Sequence, residues 1–548
     1  KKNIKRCRDN KYPVHINIGL LGDTATQFLA AAIEGMGYEY NMKADVFDAE
    51  YDSIETNVLD QTSELYESRR DFIILAMSTE KACEAFMKTP YPERRDFADR
   101  YMAKINSYWS SIGKRSDARI IQLNFNRIND GVFGNYGMKE PSAFDYQLQK
   151  LNMLLSEAAS ENKSVFLIDA DRIQYELGRT VYTETKFYFQ ARMSMSFEAL
   201  AAIAAEIFDV ISAIRGKFRK CLVLDLDNTL WGGVIGDDGL NGIEIGELGT
   251  GRSYTDLQYW CRELEMRGII LAVCSKNDED TAKEPFISHP DMVLHLDDFA
   301  VFTANWDDKA TNIRKIQQTL NIGMDSMVFV DDNPFERNMV RELIPEITVP
   351  ELPEDPSEYL TFLQSQNLFF FFSFSEEDMK RTKQYQEEAG RRSLEESFAS
   401  IDDYLKSLDM TAEAKPFDEF HYPRIAQLSQ RSNQFNLRTV RYTEEDIKRM
   451  ASSDKYITLY FTLKDKFGDY GLISAVIIEK KDAVTGFIDT WFMSCRVLKR
   501  GMEEFIINTM VEAAEKAGIE KLVGEYIRTP KNNMVSGIYP KLGFKAVN

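Results

Sequence analysis

Histidine is scarce in this chain. Only His15, His289, His295 and His421 occur in 548 residues, so imidazole-based catalysis has few places to arise. Cysteine is nearly as thin. Cys7, Cys83, Cys221, Cys261, Cys274 and Cys495 are scattered over the length, and none forms a C-x-x-C pair. That excludes an obvious zinc site or disulfide framework and leads us to expect reduced thiols in a cytoplasmic protein. Long apolar runs are missing. Phe72 to Met77 is among the longest, far below the roughly 20 residues needed to cross a bilayer. Lys1 to Asp9 is basic and polar with no apolar stretch behind it, so no secretory leader is expected. Positive charge is also short: 67 Lys+Arg against 87 Asp+Glu leaves a net charge of −20, which argues against nucleic acid as a partner. No repeat or low-complexity tract is present.

What is there suits a globular protein of about three domains. Hydrophobic residues make up 44% and charged residues 28%, the balance of a chain with ordinary cores. Charge is unevenly spread. From His421 to Asn548 there are 20 Lys+Arg against 15 Asp+Glu, a net of +5 on an otherwise acidic chain. That hints at an acidic partner or a phosphorylated ligand at this end, unless it is compositional drift.

The pattern of apolar runs divides the chain. Residues 1–215 alternate short apolar strands (His15 to Leu20, Phe72 to Ala76, Arg119 to Leu123, Val165 to Ile168) with helical pattern, beginning with Gln27 to Met36. Such alternation predicts an α/β fold with a parallel sheet. Residues 216–370 repeat it with strands at Cys221 to Leu226, Ile269 to Cys274 and Met327 to Val330, and helices ending at Arg267 and spanning Lys309 to Leu320. Residues 371–392 form an expected linker helix after four phenylalanines that suit interdomain packing. Residues 393–548 show consecutive strands at Tyr456 to Leu463, Leu472 to Ile478 and Phe487 to Met493. A helix at Met502 to Ala517 and a strand at Leu522 to Ile527 follow.

The most informative stretch is Val223-Leu-Asp225-Leu-Asp227-Asn-Thr229-Leu. A strand of apolar residues ends in two carboxylates spaced two apart, followed by Thr229 and the turn Gly232-Gly233. Ligands of open α/β sheets bind beyond the carboxyl ends of the strands, where these side chains lie. Burying two acids there is costly unless a cation joins them, and Mg²⁺ prefers such oxygen ligands. A second strand ends in Ser275, Lys309 opens a helix, and a third strand ends in Asp331-Asp332.

This order of pieces resembles the haloacid-dehalogenase (HAD) phosphatase superfamily. The resemblance implies that Asp225 is a nucleophile forming an aspartyl-phosphate and that Asp227 is the acid and base. Lys309 and Ser275 would offset phosphoryl charge. Mg²⁺ would be held by Asp225, the main-chain carbonyl of Asp227, and Asp331, with Asp332 in support. Thr229, Lys276 and Asn277 would line the substrate site. The short span from Asp225 to Ser275 leaves no room for a separate cap domain.

Longer strings, Asp225-Leu-Asp-Asn-Thr-Leu-Trp-Gly-Gly-Val234, Ala272-Val-Cys-Ser-Lys-Asn-Asp278 and Val328-Phe-Val-Asp-Asp-Asn-Pro334, resemble the FkbH-like family of glyceryl transferase/phosphatases. That resemblance implies three domains: a capless HAD-type domain between a degenerate SGNH-hydrolase-like domain and a GNAT-like acyltransferase domain. It also implies a 1,3-bisphosphoglycerate donor and an acyl carrier protein of polyketide-type biosynthesis as partner. The phosphopantetheine arm of that carrier would be the guest of the last domain, near Arg496, Arg500 and Gly501. Cys495 reads either as a nucleophile holding a glyceryl thioester or as a small buried residue at a strand end.

In the first segment, Gly22-Asp23-Thr24 resembles the SGNH Gly-Asp-Ser, and Asn124 or Asn126 could stand for its Asn. No histidine falls late in the segment, so a hydrolytic triad is not expected. A stand-alone phosphatase and a non-catalytic scaffold remain as alternatives for the whole chain.

Overall fold

The computed structural model describes residues 14–371, 383–387, 391, 394, 398, 400–494, 497–498 and 500–546. The chain falls into two compact units, Lys1–Ser212 and Ala213–Asn548. The expected linker helix lies mostly outside the described residues, as do Cys7, Cys495 and Arg496.

The first unit is built on a parallel sheet of β1 (His15–Gly22), β2 (Lys43–Asp48), β3 (Phe72–Ala76), β4 (Arg119–Leu123) and β5 (Val165–Ile168). Its order is β2-β1-β3-β4-β5, so the direction of winding reverses between β1 and β3. Every residue of β3 is buried, as expected of a central strand covered on both faces. Strand β2 escapes the sequence pattern because Lys43-Ala-Asp-Val-Phe-Asp48 alternates charge with apolar side chains and is only half covered.

The second unit holds two sheets. The first comprises β6 (Cys221–Leu224), β7 (Ile270–Ser275), β8 (Phe299–Ala304) and β9 (Met327–Val330), all parallel, in the order β8-β7-β6-β9. Alternate residues of β6 enter opposite cores. Leu222 and Leu224 pack with Trp231 and Leu257, while Cys221 and Val223 pack with Ile313 and Phe329. Burial on both faces pins β6 in register, and so fixes where Asp225 emerges.

The other sheet is largely antiparallel. Strands β10 (Thr411–Pro416), β11 (Phe435–Asn436), β12 (Tyr456–Asp465), β13 (Gly468–Lys480) and β14 (Thr485–Met493) run in the order β10-β12-β13-β14-β11. The helix Met502–Lys516 follows, and β15 (Lys521–Gly524) pairs in parallel with β14. The helix covers the sheet through Ile506 and Met510, which share a core with Trp491 and Phe461. Gly501 begins this helix at φ +76, a left-handed conformation that glycine adopts without steric cost.

Candidate active site at the carboxyl end of β6

Asp225 follows directly on β6, and its N–H donates to Val330 O at 3.0 Å, extending the ladder to β9. The chain then turns sharply. Asn228 takes a left-handed φ of 53, and its side-chain oxygen accepts from Gly233 N at 2.9 Å. Gly233 sits at φ +89, where a Cβ would come within 2.7 Å of Asp238 Oδ2. Gly232 and Glu244 exchange backbone hydrogen bonds of 2.9 and 2.8 Å, closing a small flap beside the site. Between Asp225 and β7 the chain forms only this flap, a short helix at Ile235–Asp238 and the helix Gly249–Met266.

Three carboxylates converge. Asp225, Asp331 and Asp332 each offer an oxygen, and these oxygens lie within 4.8 Å of one another. The first two side chains are buried, so bringing them together without compensation would be severely unfavourable. Part of the compensation is Lys309, which is 3% exposed at the start of its helix. Its Nζ lies 2.6 Å from Asp225 Oδ2 and 2.5 Å from Asp331 Oδ2. Burial works against this ammonium, but the two carboxylates outweigh it and hold the lysine above its ordinary range. Burial, and next the like charge of Asp225, push Asp331 upward, against the pull of Lys309. Asp332 is raised by burial and by Asp225 in the same way.

One cation among three acids leaves a charge deficit. Asp225 Oδ1 is buried and receives no hydrogen bond. An orphaned carboxylate oxygen beside two further acids is the donor set of a hard divalent cation, and the residues fit one.

Asp227 occupies a different position from the trio. Its Oδ1 accepts from Trp231 Nε1 and from Ile235 N, both at 3.0 Å, and its Oδ2 accepts from Asn277 Nδ2 at 2.7 Å. Its side chain is therefore held by the flap and by the loop after β7, apart from the acids it neighbours in sequence. Asn277 also reaches Ser275 Oγ at 3.4 Å, linking the two residues expected to face substrate. Lys276 pairs with Glu336 at 2.5 Å.

Some expectations change on contact with the geometry. Thr229 does not line the substrate site. It is fully buried, accepts from Asp332 N at 3.1 Å and lies 3.4 Å from Asp332 Oδ1, so it braces that acid. Arg500 is engaged within the protein. It is buried against Tyr470, to whose hydroxyl it donates, and lies 3.5 Å from Asp465, which also binds Arg391. Gly501 is the helix start already noted.

Two residues of the site had no part in the sequence reading. Glu336 is an acid one helical turn beyond Asp332, and its spacing after the acid pair was the available signal. Arg337 donates to the main-chain oxygens of Asp331 at 2.8 Å and Asp332 at 2.6 Å, and pairs with Glu351 at 2.6 Å. Nothing in its local sequence marks that role, because the partners are carbonyls.

At the equivalent end of the first unit Asp23, Thr24 and Asn126 are buried. Asp23 accepts from Ser78 N at 2.9 Å, and burial pushes its carboxyl up to about 7. Thr24 Oγ1 lies 3.2 Å from Ser194 Oγ. Asn126 accepts from Thr79 through its main-chain oxygen at 2.8 Å, and Asn124 donates to Asp169 at 2.7 Å. The one histidine of this unit's described residues, His15, begins β1, seven residues before Gly22.

Comparison with known proteins agrees with this picture. Residues 17–212 match the family model described as FkbH, N-terminal domain. The chain is 45% identical to a solved structure from Bacteroides fragilis, the N-terminal part of the protein BF1531, containing a phosphatase domain complexed with Mg. The match covers 68% of this chain and 99% of that one, with a TM-score of 0.65. The acetyltransferase AAC(6')-Iy is 13% identical over 25% of this chain and 93% of its own, with a TM-score of 0.21. A ribosomal-protein-alanine N-acetyltransferase from Brucella melitensis is 14% identical over 25% and 93%, with a TM-score of 0.20. Both likenesses are too faint to argue from. No curated protein sequence matches the chain. With 45% identity over nearly the whole of the Bacteroides structure and an FkbH match along the first unit, the chain belongs to the FkbH-like family.

Proposed function

We propose that this protein is a magnesium-dependent HAD-type phosphatase that works through an aspartyl-phosphate on Asp225. The single observation that carries the reading is the trio Asp225, Asp331 and Asp332 with Lys309 buried among them. The magnesium of the Bacteroides structure supports the choice of cation. Asp225, Asp331 and Asp332 would hold it, and when bound it would supply positive charge against the phosphoryl oxygens.

The chain's own residues account for the remaining steps. The Asp225 carboxylate attacks phosphorus, the bond from phosphorus to the leaving oxygen breaks, and an acyl phosphate forms. Asp227 protonates the leaving oxygen. It then takes a proton from water, whose oxygen attacks the same phosphorus, releasing phosphate and restoring Asp225. Trp231, Ile235 and Asn277 aim Asp227 for both transfers. Lys309 stands within reach of the phosphoryl group and offsets the charge that moves onto it.

The finer reading rests on family membership. A 3-phosphoglyceryl group would pass from C1 of 1,3-bisphosphoglycerate to the thiol of an acyl carrier protein, with the 1-phosphate leaving as inorganic phosphate, and the remaining 3-phosphate would then be hydrolysed at this centre. The net +5 of residues 421–548 supports an acidic carrier as partner. Cys495 is the candidate for a transient thioester, and the carrier's phosphopantetheine arm the candidate guest.

The test incubates protein, Mg²⁺, labelled 1,3-bisphosphoglycerate and a holo carrier protein, and weighs each protein intact. A carrier that gains a glyceryl mass supports the full reading. Phosphate release with no adduct on either protein leaves a phosphatase and rejects glyceryl transfer.

A further inference from the structure

Two large aromatic side chains close in sequence to the phosphotransfer residues are left in water. Trp306 is 76% exposed and Phe335 is 69% exposed. The chain has five tryptophans. Trp109, Trp231 and Trp491 are buried and Trp260 is half-buried, so Trp306 alone leaves most of its indole outside a core.

The sheet sets where these two residues stand. In the order β8-β7-β6-β9, β6 and β7 lie inside and β8 and β9 form the edges. Asp225 follows β6 and Ser275 ends β7, between those edges. Trp306 comes just after β8 and Phe335 just after β9, beyond the same carboxyl ends. At about 4.8 Å per strand, β9 stands roughly 5 Å to one side of β6 and β8 roughly 10 Å to the other. The two residues therefore flank the centre.

Hydrogen bonds tie both mounts to it. Beside Trp306, Asn305 N donates to Ser275 O at 3.2 Å. The side chains of Asn305 and the fully buried Asn312 exchange bonds of 2.8 and 3.3 Å, and Asp307 N donates to Asn305 Oδ1 at 2.9 Å. On the other edge, Phe335 N donates to Asn333 Oδ1 at 2.9 Å, and Asn333 N donates to Asp331 Oδ1 at 2.8 Å. The next residue, Glu336, is buried and binds Lys276, which joins the helix after β9 to the loop after β7. The rings are thus exposed on a fixed backbone. Leaving that much aromatic surface in water forgoes burial that would stabilise the fold. Single apolar residues scattered on a surface need no account, but these two stand on the loops that also hold Ser275 and Asp331.

We propose that Trp306 and Phe335 select the substrate. They receive the leaving group of a phosphate ester whose organic part is apolar and long enough to pass from Asp225 to the rim. The proposal rests on the phosphatase reading of the same centre. A three-carbon leaving group extends only about 4 Å from phosphorus, less than one strand spacing. A longer apolar chain covers the rings and gains binding away from the reacting bond.

Two readings on the full chain test this. The first compares kcat/KM with Mg²⁺ for octyl phosphate and glycerol 3-phosphate. Both release a primary alcohol, so the chemistry at phosphorus is matched. The expected preference for octyl phosphate is at least about tenfold, and Trp306→Ala with Phe335→Ala lowers that ratio at least about tenfold. A ratio is insensitive to a general loss of folded protein. The second reading is tryptophan emission on adding octylphosphonate, whose carbon–phosphorus bond resists hydrolysis. A saturable blue shift is expected, absent with inorganic phosphate and absent from Trp306→Phe. A blue shift without turnover of either ester supports the rim as a ligand site and rejects the phosphatase reading. Equal kcat/KM for the two esters, or a ratio that the double variant leaves unchanged, overturns the proposal while the phosphatase stands.

Discussion

At the scale of single residues, the site is a balance of buried charge. Asp225 and Asp331 share Lys309, and Asp225 Oδ1 remains without a donor. Replacing Lys309 by Met leaves two buried acids facing each other and removes a charge the phosphoryl group needs. We expect kcat to fall about 10²–10³-fold, the usual loss for one preorganised charge, while substrate KM changes far less. Thr229→Val tests the bracing role. Mg²⁺ affinity, read by titration of activity, should weaken about 10–100-fold, as for other residues behind a ligand, with little change in saturated kcat. If Thr229 touched substrate instead, the loss would appear in substrate KM. These roles were only partly legible beforehand. The acids, Ser275 and Lys309 could be placed because each ends a strand or starts a helix. The burial of Thr229 and the carbonyl contacts of Arg337 could not, because both depend on how separate loops fold against one another.

At the scale of elements, β6 and β9 were readable to within two residues. Covered on both faces, they form continuous apolar runs. Strands β2 and β8 were missed. Both lie at sheet edges and are partly exposed; β2 mixes charged and apolar side chains, whereas β8 is a short apolar run that follows directly on the polar loop Leu296–Asp298. The end of β1 carries its own titration. Burial raises Asp23 from 3.8 to about 7 in the fold. A carboxyl raised in the folded state binds its proton more tightly there than in the unfolded chain. Its contribution to stability is therefore full below about pH 4 and is lost as pH rises through about 7. The first unit should thus lose stability between those values, by an amount on the order of a few kcal/mol. Asp23→Asn should flatten that decline and raise Tm at pH 8. Thermal melts of the two proteins from pH 4 to 8 decide it, and identical slopes would remove Asp23 as the cause.

At the scale of the whole molecule, the division of labour follows from where chemistry-bearing side chains can gather. The first unit has a parallel sheet whose winding reverses between β1 and β3, and there Thr24 Oγ1 lies 3.2 Å from Ser194 Oγ. The centre at β6 gathers three carboxylates around a buried lysine, a set of residues that fits a divalent cation. Chelation by EDTA should abolish phosphate release, and added Mg²⁺ should restore it fully. Activity that survives chelation would mean that Asp225, Asp331 and Asp332 are arranged for some other purpose. Two sheets of different topology sharing one unit could be anticipated from the change of strand pattern after residue 392.

The measurement that bears most directly on the central claim is a rapid-quench trap of the phosphorylated enzyme. Protein, Mg²⁺ and a phosphate ester would be mixed, quenched in acid within milliseconds and digested, and the peptides weighed. The account predicts one peptide, containing Asp225, that carries a single phosphoryl group removable by hydroxylamine and absent from Asp225→Asn. Turnover by Asp225→Asn at a near-normal rate, or a phosphoryl group found on any other residue, would contradict it.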